Sequence, residues 1–367
     1  MLHKIIPVLG CLVMLVAACS PASPTLTPVD LCVGLITDVG SVRDGTFNEF
    51  AHRGALRAQE EFGLGYQYRE SVADSHWALH LQDLINIDCA DVIITVGFFM
   101  TDFTLAQAAA YPDTYFVGVD QFYAEPPPNA QGLQFQEDEG GFLAGALAGM
   151  MTESGTVGIL AGEHIPPVER YVEGFINGVW YTNPEAEALH VYAPSFVDAE
   201  FGRDKAQEWI TNQGVDVIFG AGGLTGSAGI FEAAQLGSWV IGVDQDEYRT
   251  TFQDGTLDGA DRILTTAVKR VDNGVYQAIE SIVNDAFTSG VVVLGTADNG
   301  VGYAPFHDAA DAIPRDVADC LADIWRALAG QTLQTGASGS ADDVRPDPLG
   351  DGDPPVAADA PPLPDWE

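Results

Sequence analysis

Three aspartates share one local setting, because each stands directly after a short apolar run. Asp38 follows CVGLIT, Asp120 follows YFVGV and Asp244 follows VIGV. Two further runs end in glycine: DVIITV runs into Gly97-Phe98, and DVIF into Gly220-Ala221-Gly222-Gly223-Leu224-Thr225-Gly226. A carboxylate accepts two hydroxyl or N–H hydrogen bonds, and two carboxylates in different environments can act as acid and base. A glycine run lets backbone approach a ligand closely. Phe47, beside Asn48 after the loop GSVRDGT, adds a flat apolar face next to an amide. Any single aspartate here serves equally well as a helix cap or turn former. Three in equivalent places point to binding. The glycine run has neither the dinucleotide spacing nor the Lys-Ser/Thr of a phosphate loop, so it gives weak support to a phosphate cradle.

These positions converge only if the runs are strands of parallel sheets. Strand-like runs at 32–37, 66–70, 91–96, 115–119, 156–160, 190–192, 215–219, 240–243, 263–264 and 291–294 alternate with amphipathic stretches at 47–62, 77–87, 140–151, 169–179, 203–213, 227–235, 269–287 and 316–329. That alternation predicts an α/β fold with helices on both faces of parallel sheets. The βα runs 31–123 and 156–248 read as two doubly wound lobes. Later elements cross back to complete them, giving a first lobe of 31–124 with about 249–289 and a second of 125–248 with about 290–330. In open parallel sheets ligands sit outside the carboxyl ends of the strands, so two facing lobes would share one cleft.

The segments outside this core have other compositions. Residues 1–18 read as a lipoprotein signal peptide, a cleaved leader in which Lys4 precedes an apolar run of about a dozen residues, short of the roughly 20 needed to span a bilayer. The run ends in Val16-Ala17-Ala18-Cys19, which resembles the lipobox of bacterial lipoproteins, with Cys19 as the lipidated terminus. Residues 19–30 are rich in Pro, Ser and Thr and read as a tether. Residues 336–367 hold seven prolines and eight acidic residues against one arginine, so a disordered tail is expected. The formal charge of −38, from 53 acidic and 15 basic residues, makes nucleic acid and anionic lipid poor partners. With Cys11 in the leader and Cys19 lipidated, three cysteines remain. Cys32 and Cys89 each precede an apolar strand and could bridge neighbouring strand starts. No cysteine spacing suits zinc, so no metal or cofactor is expected.

The segments TDVGSVRDGTFNEF, EDEGGFLAGALAG, IPPVERYVEGFINGV, DVIFGAGGLTGSAGIFEAA, VIGVDQDEY, AVKRVDNGVYQAI and NGVGYAPFHD together resemble the basic membrane protein family of substrate-binding lipoproteins, over about 31–308. The resemblance implies a type I periplasmic-binding-protein fold, two lobes joined by a hinge, that closes over a purine nucleoside for an ABC importer. It also implies a monomer lipid-anchored in the cell envelope, with a permease as partner and no catalysis of its own. Under it, Phe47 matches the first aromatic stacked on the base and Phe219 the second. Asp120 matches the residue bonded to the base, and Asp244 and Lys269 those that hold ribose hydroxyls. Asp38, Asn48 and the Gly222, Gly223, Thr225 and Gly226 loop complete the wall.

The chemistry agrees, since a neutral flat base joined to a polyol needs aromatic faces and acceptor-rich side chains. Arg43 and Gly45 depart from the family's usual opening loop. Three rivals use the same residues: a ribose-type sugar receptor, a sensor lobe of the same fold, and a secreted nucleosidase or glycosidase working with two of the carboxylates.

Overall fold

The computed structural model describes residues 30–337. The leader, Cys19, nearly all of the tether and the tail beyond residue 337 lie outside it. The chain runs β1 (Cys32–Thr37), α1 (Phe47–Phe62), β2 (Gly65–Arg69), α2 (Trp77–Asn86), β3 (Val92–Val96), α3 (Thr101–Ala110), β4 (Tyr115–Val119) and β5 (Ala130–Phe135). It continues through α4 (Glu137–Met151), β6 (Thr156–Ala161), α5 (Pro166–Thr182), β7 (Glu187–Tyr192), α6 (Ala199–Glu208), β8 (Val217–Ala221), α7 (Gly223–Gln235) and β9 (Trp239–Asp244). Last come β10 (Ile263–Lys269), α8 (Val271–Val283), β11 (Gly290–Leu294), β12 (Val301–Tyr303) and α9 (Arg315–Ala329).

Two sheets form, ordered β11-β5-β4-β3-β1-β2 and β12-β10-β9-β8-β6-β7. Every pairing is parallel except β10 with β12. The inner strands are continuous apolar runs because helices cover both faces; β3, β8 and β9 expose almost nothing, whereas the edge strands β2 and β7 carry exposed residues. Each lobe thus has a core on either side of its sheet. The bridge that the sequence left as a possibility forms: a Cys32–Cys89 disulfide ties the start of β1 to the loop before β3.

The expected lobe boundaries need correction. β5 and β11 belong to the first sheet and β10 to the second, so each lies in the lobe opposite to its expected one. The chain passes between lobes three times: from β5 into α4, from β10 into α8, which packs on α1, and from β11 into β12. Edge pairing is a long-range choice that local periodicity does not encode. β5, AQGLQF, also lacks the apolar run that marks the inner strands.

Close helix packing sets the second lobe beside these crossings. α4 carries Gly141, Gly145 and Gly149 along one face, and α5 presents Gly174 and Gly178 to it. A Cβ at Gly141 would lie 2.3 Å from the Tyr171 carbonyl oxygen, and one at Gly174 would lie 2.1 Å from that of Asp138. The backbones are in contact, which fixes where the first turns of both helices stand.

Candidate ligand-binding site

A cavity of about 270 Å³ lies between the carboxyl ends of the two sheets. That is close to the lower end of the ~300–1,000 Å³ usual for small-molecule sites. Asp38, Phe47, Asn48, Asp120, Gly222, Gly223, Asp244 and Lys269 all line it. The structure therefore brings together eight of the eleven expected ligand-site residues.

The floor is ionic. Lys269, at the end of β10 and 2 % exposed, places its Nζ 2.6 Å from Asp120 Oδ2 across the lobe boundary and 2.8 Å from Glu137 Oε1. Arg170 Nε donates to the other oxygen of Glu137 at 2.6 Å. Burial alone would depress the Lys269 ammonium, but Asp120, Glu137 and Asp244 hold it charged, well above its usual range. Burial also pushes Asp244 up to about 8, with Lys269 opposing and Asp120 adding to the rise. Asp38 is pushed up to about 7 by burial, against the Val39 amide bond to its carboxylate.

Asp120 directly follows β4 and Asp244 ends the equivalent strand β9, and both take left-handed backbone, φ 61° and 66°. Non-glycine residues adopt that region sparingly, and such strain gathers at functional sites. Gly97, directly after β3, makes room for Asp38: a Cβ there would lie 1.9 Å from Asp38 Oδ2.

The opening loop is organised by a residue the sequence reading left unassigned. Asp44 accepts hydrogen bonds from the amides of Thr46, Asn48 and Glu49 and from Asn48 Nδ2, which caps the start of α1. Asn48 Nδ2 also donates to Val39 O at 3.1 Å. Phe47 is thereby set at the cleft, its ring centroid 5.1 Å from Lys269 Nζ. Three buried oxygens around the cavity have no protein partner: Asp120 Oδ1, Asn48 Oδ1 and the Tyr171 hydroxyl. Buried polar atoms are nearly always paired, so these mark where a ligand's polar groups would dock.

Three expected residues stand elsewhere. Phe219 is fully buried in the core of the second lobe, packed on Tyr171 and Phe175. β8 runs two residues beyond the expected strand end, so Phe219 is interior to the strand and Ala221 is its end. Thr225 donates to Ser195 O at 2.7 Å and accepts from the Asp198 amide at 2.8 Å, bracing the loop after β7. Gly226 packs on Gly220 in the first turn of α7. Neither lines the cavity.

That braced loop carries Phe196, which lines the second-lobe side of the cleft, and Phe98 and Tyr171 line it too. Phe98 stands in a strand-end position that the sequence marks. Phe196 follows an edge strand, where the same rule reaches it once β7 is counted. Among the described residues, no cluster of His, Cys, Asp or Glu is placed to hold a metal ion.

Two mostly parallel-sheet lobes, three crossings and a cavity between the strand ends define the type I periplasmic-binding-protein fold. A solved ABC solute-binding protein from Aeropyrum pernix superposes with a TM-score of 0.73 at 24% identity, covering 83% of this chain and 92% of that one. The profile of the Bmp family, described as ABC transporter substrate-binding protein PnrA-like, matches residues 32–318, and the chain belongs to that family. An uncharacterized lipoprotein of Pyrococcus horikoshii is 31% identical over 285 residues, 74% of this chain and 68% of its own. Basic membrane protein A of Borreliella burgdorferi is 33% identical over 221 residues, 59% of this chain and 63% of its own.

Proposed function

We propose that the protein captures a purine nucleoside in the interlobe cavity and hands it to an ABC permease, held at the membrane by lipid on Cys19 and performing no catalysis itself. The observation that carries this reading is the pairing of two surfaces in one small cavity. Phe47 from the first lobe and Phe196 from the second offer aromatic faces for a flat base. Asp120, Asp244 and Lys269 offer acceptors and one ammonium for base N–H and ribose hydroxyls. Asp38, Asn48, Gly222 and Gly223 complete the wall, and the Tyr171 hydroxyl, kept neutral by burial, adds a donor.

A thermal-shift and calorimetric screen against nucleosides, free bases, pentoses and hexoses tests it. A ligand at 100-fold over its Kd adds about 2.7 kcal/mol of stability. Stabilisation by pentoses and by no nucleoside sinks the purine reading, and release of free base from inosine or adenosine identifies an enzyme instead. Phe47→Ala and Phe196→Ala should each weaken nucleoside binding by about 1–3 kcal/mol through lost stacking area. Unchanged affinity returns that ring to a packing role.

A further inference from the structure

Glu137 and Arg170 do not line the cavity, yet they are joined to it through Lys269. Glu137 is 0 % exposed, and its two oxygens are divided: Oε1 lies 2.8 Å from Lys269 Nζ and Oε2 accepts from Arg170 Nε at 2.6 Å. With Asp120 on the far side of Lys269, two cations alternate with two carboxylates, and the four close to zero net charge. A lysine ammonium is a compact point charge on a flexible stem, and in a buried site it goes where its counter-ions hold it. Asp120 is in the first lobe and Glu137 in the second, so Lys269 is held from both.

The place of Glu137 in the chain matters as much as its charge. It is the first residue of α4, directly after the first crossing between lobes. The preceding residue, Gln136, donates its amide to Leu294 O at 3.0 Å, and Glu139 accepts the Thr296 amide at 2.7 Å, which binds the third crossing. Arg270, next to Lys269 on the second crossing, donates its amide to Gly300 O at 2.8 Å. All three crossings are therefore joined to one another where the charge chain begins.

We propose that Glu137, backed by Arg170, is the positioning residue that aims Lys269 across the lobe boundary, so that the ligand-holding ammonium and the hinge move as one unit. As far as ligand is concerned, this rests on the nucleoside reading above. The Glu137–Lys269 contact lies within the second lobe, so the positioning holds in the ligand-free protein whether the lobes are open or closed, and it is tested separately.

The chain has three lysines, Lys4, Lys205 and Lys269. In full-length protein with nitrogen-labelled lysine, the buried Lys269 ammonium should give a slowly exchanging NMR signal, assigned by its loss in Lys269→Met. Glu137→Gln should abolish or markedly shift that signal and leave Lys205, paired with Glu208 on the surface, unchanged. An unaltered Lys269 signal overturns the proposal whatever the ligand proves to be. Calorimetry with inosine then supplies a double-mutant cycle. Glu137→Gln should weaken binding about tenfold alone and by less than about twofold in the Lys269→Met background, because residues acting through one another do not add. Full additivity, or no effect of Glu137→Gln where the wild type binds inosine, overturns it. If Glu137→Gln fails to fold, Arg170→Gln, at a partly exposed side chain, must show the same non-additivity with a smaller effect, and additivity there overturns it as well. Failure of the wild type to bind any nucleoside counts against the proposed ligand and leaves the NMR result to decide the positioning role.

Discussion

At the scale of single residues, Asp244 lines the cavity at a cost in stability. Burial keeps its proton on in the folded protein up to about pH 8, whereas the unfolded chain releases it near pH ~4. Between those values the folded state holds the extra proton, so its stability falls as pH rises through that window. Asp244→Asn removes this titration. Urea denaturation should find the variant more stable than the wild type at pH 8, with the difference shrinking toward pH 5, while nucleoside affinity drops. Parallel pH profiles for the two proteins would contradict the assignment. Asp38, Asp120 and Asp244 were legible because a residue after an apolar run sits at a strand's carboxyl end wherever the lobes lie. Phe219 was not, because two small residues, Gly220 and Ala221, extend β8 past the point where its bulky apolar pattern stops.

At the scale of elements, the α4/α5 contact carries the site. Glu137 opens α4, Arg170 and Tyr171 lie in the second turn of α5, and the glycines between the helices leave no room for a side chain. Gly141→Ala would put a methyl group 2.3 Å from the Tyr171 carbonyl oxygen. Relieving that clash must separate the helices at the level of Tyr171 and Arg170. The expected loss is about 1–3 kcal/mol in urea denaturation, as for other overpacked sites, with weaker ligand binding beside it. Undiminished stability would mean that the helices part without cost. The helices themselves were readable from periodicity and small residues, as in EDEGGFLAGALAG. Their partnership was not, because glycine spacing permits a close contact without naming the partner.

At the scale of the whole molecule, the lobes touch across the cleft mouth: Thr250 Oγ1 donates to Gly45 O at 2.9 Å. Together with the Lys269–Asp120 pair this is a closed arrangement. Three crossings permit hinge motion, and solute-binding proteins close around ligands in this way. Small-angle scattering of the ligand-free protein should give a larger radius of gyration than the same protein with saturating ligand. Superimposable profiles would rule out closure. The charge of −38 belongs to this scale as well, since it acts on encounter and solubility and leaves the local balance around Lys269 to four side chains.

The sequence by itself determined the fold class, the two lobes, the strand-end carboxylates and the family, and it left the Cys32–Cys89 bridge open for the tertiary structure to close. Each of these is written in local pattern, in the alternation of apolar runs and helices or in motifs read along the chain. The tertiary structure alone decided which lobe receives β5, β10 and β11, that Phe196 and not Phe219 faces the cavity, and that Glu137 and Arg170 stand behind Lys269. Those are contacts between residues far apart in the chain, settled by edge pairing, helix contact and charge neutralisation in a buried space, and none of them leaves a periodic trace in the sequence.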